Sequence, residues 1–376
     1  MEIDEELLGR QLAAVDDTGI YLTRPLDILV LTGADRVRFL NGQVTCDIKQ
    51  PAPALAHGYF TTGKGRVESA VTVQIDHEEL RLLLPAGQGR PMLDRLRKYL
   101  IADRVELALR GAVGFYVIGE PGMELLDPLG IALPKEPWRW VLYELQYQMQ
   151  TLTRLPNLGI GRDVPCVMLV AENAQLNADT LAQTGMLDAG EAAYHQLRIE
   201  AGVAEFGSDY GAENFPQEVG DPDAVSYTKG CYLGQEVVAR IHYRGGVQRR
   251  LRGLRIMAER PLPPAPLLLK LGGQEVGKLT SIAPLRRGGH ILGLGIVHQK
   301  AETGVTLEVL DEEGQVHGSA ELVELPFPEP MPDLPDDAPS QEQIRASREL
   351  SCRAVRRRSR RPAGRRNRPR CRRNCR

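Results

Sequence analysis

LDILVLTGADRVRFLNG, residues 26–42, passes directly from an apolar, strand-sized run to a helical stretch that Gly42 closes as the residue just past the helix end. Working outward from it, VESAVTVQI (67–75) and ELRLLLP (79–85) read as strands. RPMLDRLRKYL (90–100) reads as a helix and RVELAL (104–109) as a further strand. The order β-α-β-β-α-β is that of a ferredoxin-like split unit, with helices on one face of an antiparallel sheet, so the fold class expected is α+β.

Residues 113–185 repeat a similar order without repeating the sequence. VGFYVIG, WVLYELQ and PCVMLVA are strand-like, EPGMELLDPLG is a short helix or turn, and NAQLNADTLAQT is helical. LDAGEAAYHQLRIEAG (187–202) is a helix in which Asp188 and Glu191 have capping-box spacing and Gly202 stops the run. From 252 to 325, short alternating strands separated by Gly and Pro turns predict a small β-barrel or sandwich. LPFPEPMPDLPDDAPS, which follows, is too rich in proline and acid to pack. The expected divisions are an N-terminal α+β part at 1–110, a second at 111–250, a β-domain at 251–325, and a disordered linker and tail at 326–376.

A hydrophobic content of 42% supports real cores over 376 residues. The net charge of −2 conceals an asymmetry: fifteen of the 47 basic residues lie in 345–376 beside a single acid, Glu349. The preceding chain keeps 32 basic groups against 48 acidic ones, a balance that repels a nucleic-acid backbone. Direct nucleic-acid binding is therefore expected only through the tail. That tail reads equally as an anion-binding segment or as an out-of-frame translation of a GC-rich message. MEIDEELLGR lacks the basic start and long apolar run of a signal peptide, and no apolar run approaches membrane-span length. Cys46, Cys166 and Cys231 are too scattered for a disulfide framework. A soluble, cytoplasmic protein with free thiols and no membrane partner is expected.

GYFTTGKG (58–65) has the Gly-x-x-x-x-Gly-Lys spacing of a phosphate loop, but Gly65 stands where a magnesium-binding hydroxyl is needed, and PAPALAH before it does not read as a strand. A glycine turn presenting Lys64 and Arg66 to an anionic ligand is the better reading. No cysteine–histidine spacing suggests a metal site. His195 and His242 read as structural or exposed, with a Cys–His pair at Cys231 left open. Glu200, at the end of the RIEAG helix, is either a surface residue or a carboxylate offered to a planar donor pair such as the N–C–N edge of a pterin. Cys231, in KGCYLGQEVVAR (229–240), is either a small hydrophobe or a reactive thiol. Lys229 and a helix beginning near Gln235 would favour the thiolate.

KGCYLGQEVVARIHYRGGVQRRL resembles the signature of the YgfZ-type folate-binding proteins, relatives of the glycine-cleavage T-protein (aminomethyltransferase). FLNGQVTCDI (39–48), GKGR (63–66) and RIEAGVAEFGSDYGAENFPQE (198–218) resemble further blocks of that family. The resemblance covers roughly 20–325. It implies a T-protein-like body of split subdomains around a central channel, with a small C-terminal β-barrel. It also implies tetrahydrofolate or a one-carbon derivative as cofactor, and support of iron–sulfur cluster assembly or repair, including iron–sulfur enzymes that modify tRNA. Folate and iron–sulfur client or assembly proteins are the implied partners. By position, Glu200 is similar to the carboxylate that holds the pterin in T-proteins. The resemblance also makes Lys229, Gln235, Glu236 and Arg240, in the signature around the candidate thiolate Cys231, and Asn41, Lys64 and Arg66, in the earlier blocks, candidate cofactor-binding residues beside Glu200. T-proteins carry a catalytic aspartate where this chain reads LPAGQGRP, with no acid before Asp94. That departure disfavours the alternative, a folate-dependent aminomethyl-type transferase, and leaves open whether the chain is an enzyme.

Overall fold

The computed structural model describes residues 4–134, 139–145, 148–158, 164–171 and 174–327. The arginine-rich tail lies outside them. Helix α1 (Glu5–Asp17) is capped by Asp4, whose Oδ1 accepts from the Leu7 amide at 3.0 Å. A first pass follows: β1 (Ile20–Thr32), α2 (Arg36–Asn41), β2 (Ala54–Thr61), β3 (Val67–Ile75), β4 (Leu80–Pro85), α3 (Gly89–Tyr99) and β5 (Glu106–Ile118). The second pass runs α4 (Glu120–Glu124), β6 (Trp140–Leu145), β7 (Gln148–Leu158), β8 (Val164–Ala171), α5 (Ala174–Gln183) and β9 (Leu187–Asp188). It opens on β5, which closes the first. The strands expected at 104–109 and 113–119 are thus one element shared by both halves.

The first pass holds one strand more than expected, β2, and the second holds two, β7 and the two-residue β9; β2 and β7 are the full-length ones. Neither has a β-type pattern. ALAHGYFT is poor in branched residues, and QMQTLTRL places the polar Thr151 and Thr153 on its inner face. Among the described residues nine strands form one sheet, ordered β2-β3-β4-β1-β5-β8-β7-β6 with β9 beside β1. The order is symmetric about the β1–β5 pair.

Period-2 alternation then sorts the side chains. One face of the first half, with Leu29, Leu31, Val71, Val73, Leu82 and Leu84, buries α2 and α3 through Phe39, Leu40, Leu93 and Leu96. The same face of the second half buries α4 and α5. Each such leucine or phenylalanine contributes about 1.5–3 kcal/mol by leaving water. The opposite face covers α1 and the helix α6 (Glu191–Glu200) with Ile28, Val30, Tyr116, Met168 and Val170. The sheet curls toward that inner face until its end strands approach. Trp140 Nε1 in β6 donates to the Ala54 carbonyl in β2 at 2.7 Å, and Gln74 in β3 donates to Thr151 and Thr153 of β7 at 3.2 and 3.0 Å.

After α6 the chain runs through the helix α7 (Gln235–Tyr243) into β10 (Arg249–Met257), β11 (Leu267–Leu271), β12 (Gln274–Arg287), β13 (His290–His298), β14 (Thr306–Leu310) and β15 (Val316–Val323). These six close into a barrel, β10-β13-β12-β11-β14-β15, around Leu254, Ile256, Leu279 and Leu322. The barrel docks on α6. Arg198 and Asp209, both fully buried, pair at 2.8 Å. Arg198 also donates to Val203 O, Ser281 Oγ and His195 Nδ1, while Asp209 accepts from Thr280 Oγ1 at 2.7 Å. With all three guanidinium nitrogens bonded, the pair ties α6 to β12. Breaking one side would cost about 3–5 kcal/mol.

Two local expectations change. Gly42 has φ −80°, so α2 does not end on a left-handed glycine. Helix α6 starts at Glu191 with Gly190 as its N-cap, while Asp188 belongs to β9, which pairs with β1. The Asp188 and Glu191 spacing is therefore not a capping box.

Candidate functional site

The loop bearing Cys231 is held to the first half of the chain at several points. Ser226 N donates to Thr45 O at 3.0 Å, Leu233 N to Gly42 O at 3.1 Å, and Thr61 Oγ1 to Leu233 O at 2.6 Å. Lys229 crosses the same gap. Its Nζ donates to the carbonyls of Asn41, Val44 and Cys46 at 2.8, 2.7 and 2.6 Å, with Asn41 Oδ1 at 3.4 Å. Residue 41 ends α2, where free carbonyls and the helix dipole favour a cation. Burial pushes the Lys229 ammonium down to about 8, partly countered by Cys46 and then by the Asp47 carboxylate. Asn41 is buried and also accepts from the Ile48 amide at 3.3 Å.

Two glycines fit the third block into this contact. Gly234 has φ +85°, and a Cβ there would lie 2.4 Å from Thr62 O. Gly65, with φ +73°, sits where a Cβ would meet Val237 and Val238 of α7 at 3.1–3.2 Å. The GKGR turn thus packs beneath the signature helix. It joins β2 to β3, so a strand does lead into GYFTTGKG, but the turn opens a hairpin and not a helix, and no phosphate loop exists there.

Within this cluster the polar members have different settings. Cys231 is exposed and unbonded among the described residues, whereas Cys46 and Cys166 are buried. Burial pushes the Cys46 thiol up to about 12 and raises Cys166 as well. Lys64 is exposed at the hairpin tip. Arg66 donates to Glu213 O at 2.6 Å and lies over the Phe215 ring at 3.6 Å. Gln235 opens α7 half-buried, and Glu236 pairs with Arg240 at 2.6 Å on its exposed face. A helical surface pair of that kind is worth about 0.3–0.5 kcal/mol. His242 stacks on Tyr227 at 3.8 Å and makes no bond to Cys231. Among the described residues no group of three or more His, Cys, Asp or Glu is arranged to hold a metal, and no helix is long and apolar enough to cross a membrane.

Glu200 belongs to a second network, which shares no hydrogen-bonded residue with the first. It ends α6 with its side chain 4% exposed, so it is no surface residue. Its Oε1 accepts from Gln196 Nε2 at 2.7 Å and from Arg287 Nε at 2.6 Å. Gln196 is itself fixed, its Oε1 accepting from Leu285 N at 2.8 Å. Sequence reasoning missed Gln196 and Arg287. Gln196 lies one helical turn before Glu200 and was open to inference from i,i+4 spacing, whereas nothing in the sequence linked Arg287 to it. Glu200 Oε2 has no partner among the described residues. A planar N–C–N edge needs a carboxylate held in place with acceptor capacity to spare, and Glu200 fits that requirement.

The LPAGQGRP segment joins β4 to α3. The acid beside it in space is Asp27, whose Oδ2 accepts from the Gly89 amide at 2.8 Å. Asp27 shares the face of β1 with Leu29 and Leu31, toward α3, and caps that helix. It does not supply an acid to the inner face.

No family model matches the chain. It is 27% identical over 294 residues to a chloroplastic putative transferase of Arabidopsis thaliana, covering 74% of this chain and 65% of that one, just under two thirds of its length. It is 29% identical over 239 residues to the tRNA-modifying protein YgfZ of Sodalis glossinidius, covering 62% and 70%. For the tRNA-modifying protein YgfZ of Colwellia psychrerythraea the identity is 24% over 304 residues, covering 78% and 85%. The fold matches that of the glycine cleavage system aminomethyltransferase T of Bartonella henselae, with a TM-score of 0.72 at 16% identity over 86% of this chain and 90% of that one.

Proposed function

The chain belongs to the YgfZ/GcvT family, and from that premise we propose that it is a tetrahydrofolate-binding accessory protein for iron–sulfur cluster assembly or repair, its clients including iron–sulfur enzymes that modify tRNA. Two features in one chain carry this reading: an exposed, unbonded thiol on a clamped loop, and, in a separate network, a buried carboxylate whose Oε2 has no partner among the described residues.

Glu200 would hold the pterin edge through its carboxylate, with Gln196 setting its orientation. When bound, tetrahydrofolate supplies nitrogens that carry a one-carbon unit. Cys231 presents a thiol to iron, sulfur or a one-carbon adduct, and the Lys229 clamp fixes the loop on which it sits. Lys64, at the free tip of its hairpin, is the cation in this cluster best placed to meet an anionic end of the ligand. Glu236 and Arg240 line the outer side of α7, where a client protein would approach the thiol, and the half-buried Gln235 opens that helix beside them. An aminomethyl transfer of the T-protein kind is disfavoured, because Asp27 is committed to α3.

Expression of Cys231→Ser in a strain lacking its own homologue tests the proposal. The variant is expected to keep its fold and folate binding while iron–sulfur enzyme activity stays low. Full restoration of that activity by the variant would reject the role given to the thiol.

A further inference from the structure

The contact between Arg287 and Glu200 has the chemistry of the ligand already assigned to that carboxylate. A guanidinium and the 2-amino-4-oxopyrimidine edge of a pterin both present N–H donors fixed in a plane about one carbon. Either satisfies a carboxylate, and both need the same oxygens.

The two donors already on Glu200 Oε1 differ in how firmly they are held. Gln196 is fully buried and is fastened to β12 through Leu285, so it cannot leave without unpacking α6 from the barrel. The Arg287 side chain is 41% exposed and makes no hydrogen bond or ion pair among the described residues other than this one. The backbone of Arg287 closes the β12–β13 turn opposite His290, but its side chain makes no contact among the described residues that holds the turn. Arg286 holds that turn, donating to Gly289 O at 3.1 Å and to Ala258 O at 2.7 Å.

We propose that Arg287 is a displaceable occupant of the ligand seat, a guanidinium that holds the Glu200 carboxylate until a ligand with a guanidine-like edge replaces it. The inference rests on the reading of Glu200 as the folate carboxylate and adds a determinant of affinity to it. A seat shared with an internal competitor binds more weakly by the fraction of time it is taken. The competitor also selects its replacement. A ligand offering one donor, or donors out of plane, recovers less than it displaces, whereas a planar pair recovers at least as much.

The test is calorimetric titration of the full chain with tetrahydrofolate and, separately, with p-aminobenzoylglutamate, which lacks the pterin. Arg287→Ala is expected to bind tetrahydrofolate about threefold to tenfold tighter than the unmodified chain, the loss of one half-exposed competing ion pair. Its affinity for p-aminobenzoylglutamate should not change. Arg287→Gln, which keeps the stem and loses the charge, should behave likewise and serves if the alanine variant folds poorly. Equal or weaker tetrahydrofolate binding by both variants, in a chain whose binding is lost in Glu200→Ala, would overturn the inference and leave the reading of Glu200 standing. Equal tightening toward both probes would overturn it too, by placing the effect away from the pterin edge. If the unmodified chain binds no tetrahydrofolate, or Glu200→Ala binds it normally, the reading of Glu200 falls and the inference falls with it.

Discussion

The ammonium of Lys229 lies 2.6 Å from the carbonyl oxygen of Cys46, a residue 183 positions earlier in the chain. Through this contact and its companions at Asn41 and Val44, the signature loop is fastened to the end of α2. A lysine used in this way sets where the neighbouring thiol stands. Its first consequence is for stability. Lys229→Met should lower stability by about 2–4 kcal/mol, because three buried carbonyls lose a charged donor. Chemical denaturation of the two proteins measures the loss, and an unchanged midpoint would show that the clamp contributes nothing.

Gly234 should tolerate no side chain. Its φ of +85° and the 2.4 Å approach to Thr62 O leave no room for even a methyl group. Gly234→Ala is expected to cost about 2 kcal/mol or more, through both strain and displacement of the hairpin. Gly230→Ala, in open space on the same loop, is the control and should be mild.

Acid should loosen the joint between α6 and the barrel through His195. Burial first, then the Arg198 guanidinium, depresses this imidazole to about 4, and its Nδ1 accepts from Arg198 Nε at 3.2 Å. The unfolded chain, with an ordinary histidine near 6.5, binds the proton more readily. Stability from this residue is therefore full above pH 6.5 and is lost as pH falls toward 4. Denaturation midpoints for the unmodified chain and His195→Gln between pH 7 and 4 should converge as the pH drops. A difference independent of pH would contradict this.

The three body cysteines should react in a fixed order. Cys231 is exposed, while Cys46 and Cys166 are buried with raised thiol pKa values. Timed alkylation of the native protein at pH 7.5, followed by peptide mapping, should label Cys231 first and reach the other two only on unfolding. Early labelling of Cys46 would mean that the loop over it opens.

Much of the architecture was legible where side-chain pattern and backbone role agree. LDILVL, VESAVTVQI and ELRLLLP are short apolar runs buried on both faces of the sheet, and they read as the strands they are. The strands β2 and β7 did not, since their inner faces carry His57, Thr151 and Thr153, and polar residues facing an enclosed space look from sequence like loop residues. The same limit applies to the site. The signature, the glycine turn and the FLNGQVTCDI block could each be found in sequence, but the Lys229 clamp that joins them depends on a contact across more than 180 residues. Glu200 was open to two readings because helix position says nothing of burial. Arg287, its partner, lies in a hairpin of unremarkable sequence, and only folding brings the two together.

The central claim is that the Glu200 carboxylate receives a folate. Titration of the purified chain with tetrahydrofolate under reducing, anaerobic conditions tests it most directly, with Glu200→Ala measured beside it. Saturable binding by the unmodified chain is expected, weakened by about tenfold or more in the variant while its melting profile stays cooperative. Absence of saturable binding, or equal affinity in the two proteins, would contradict the account.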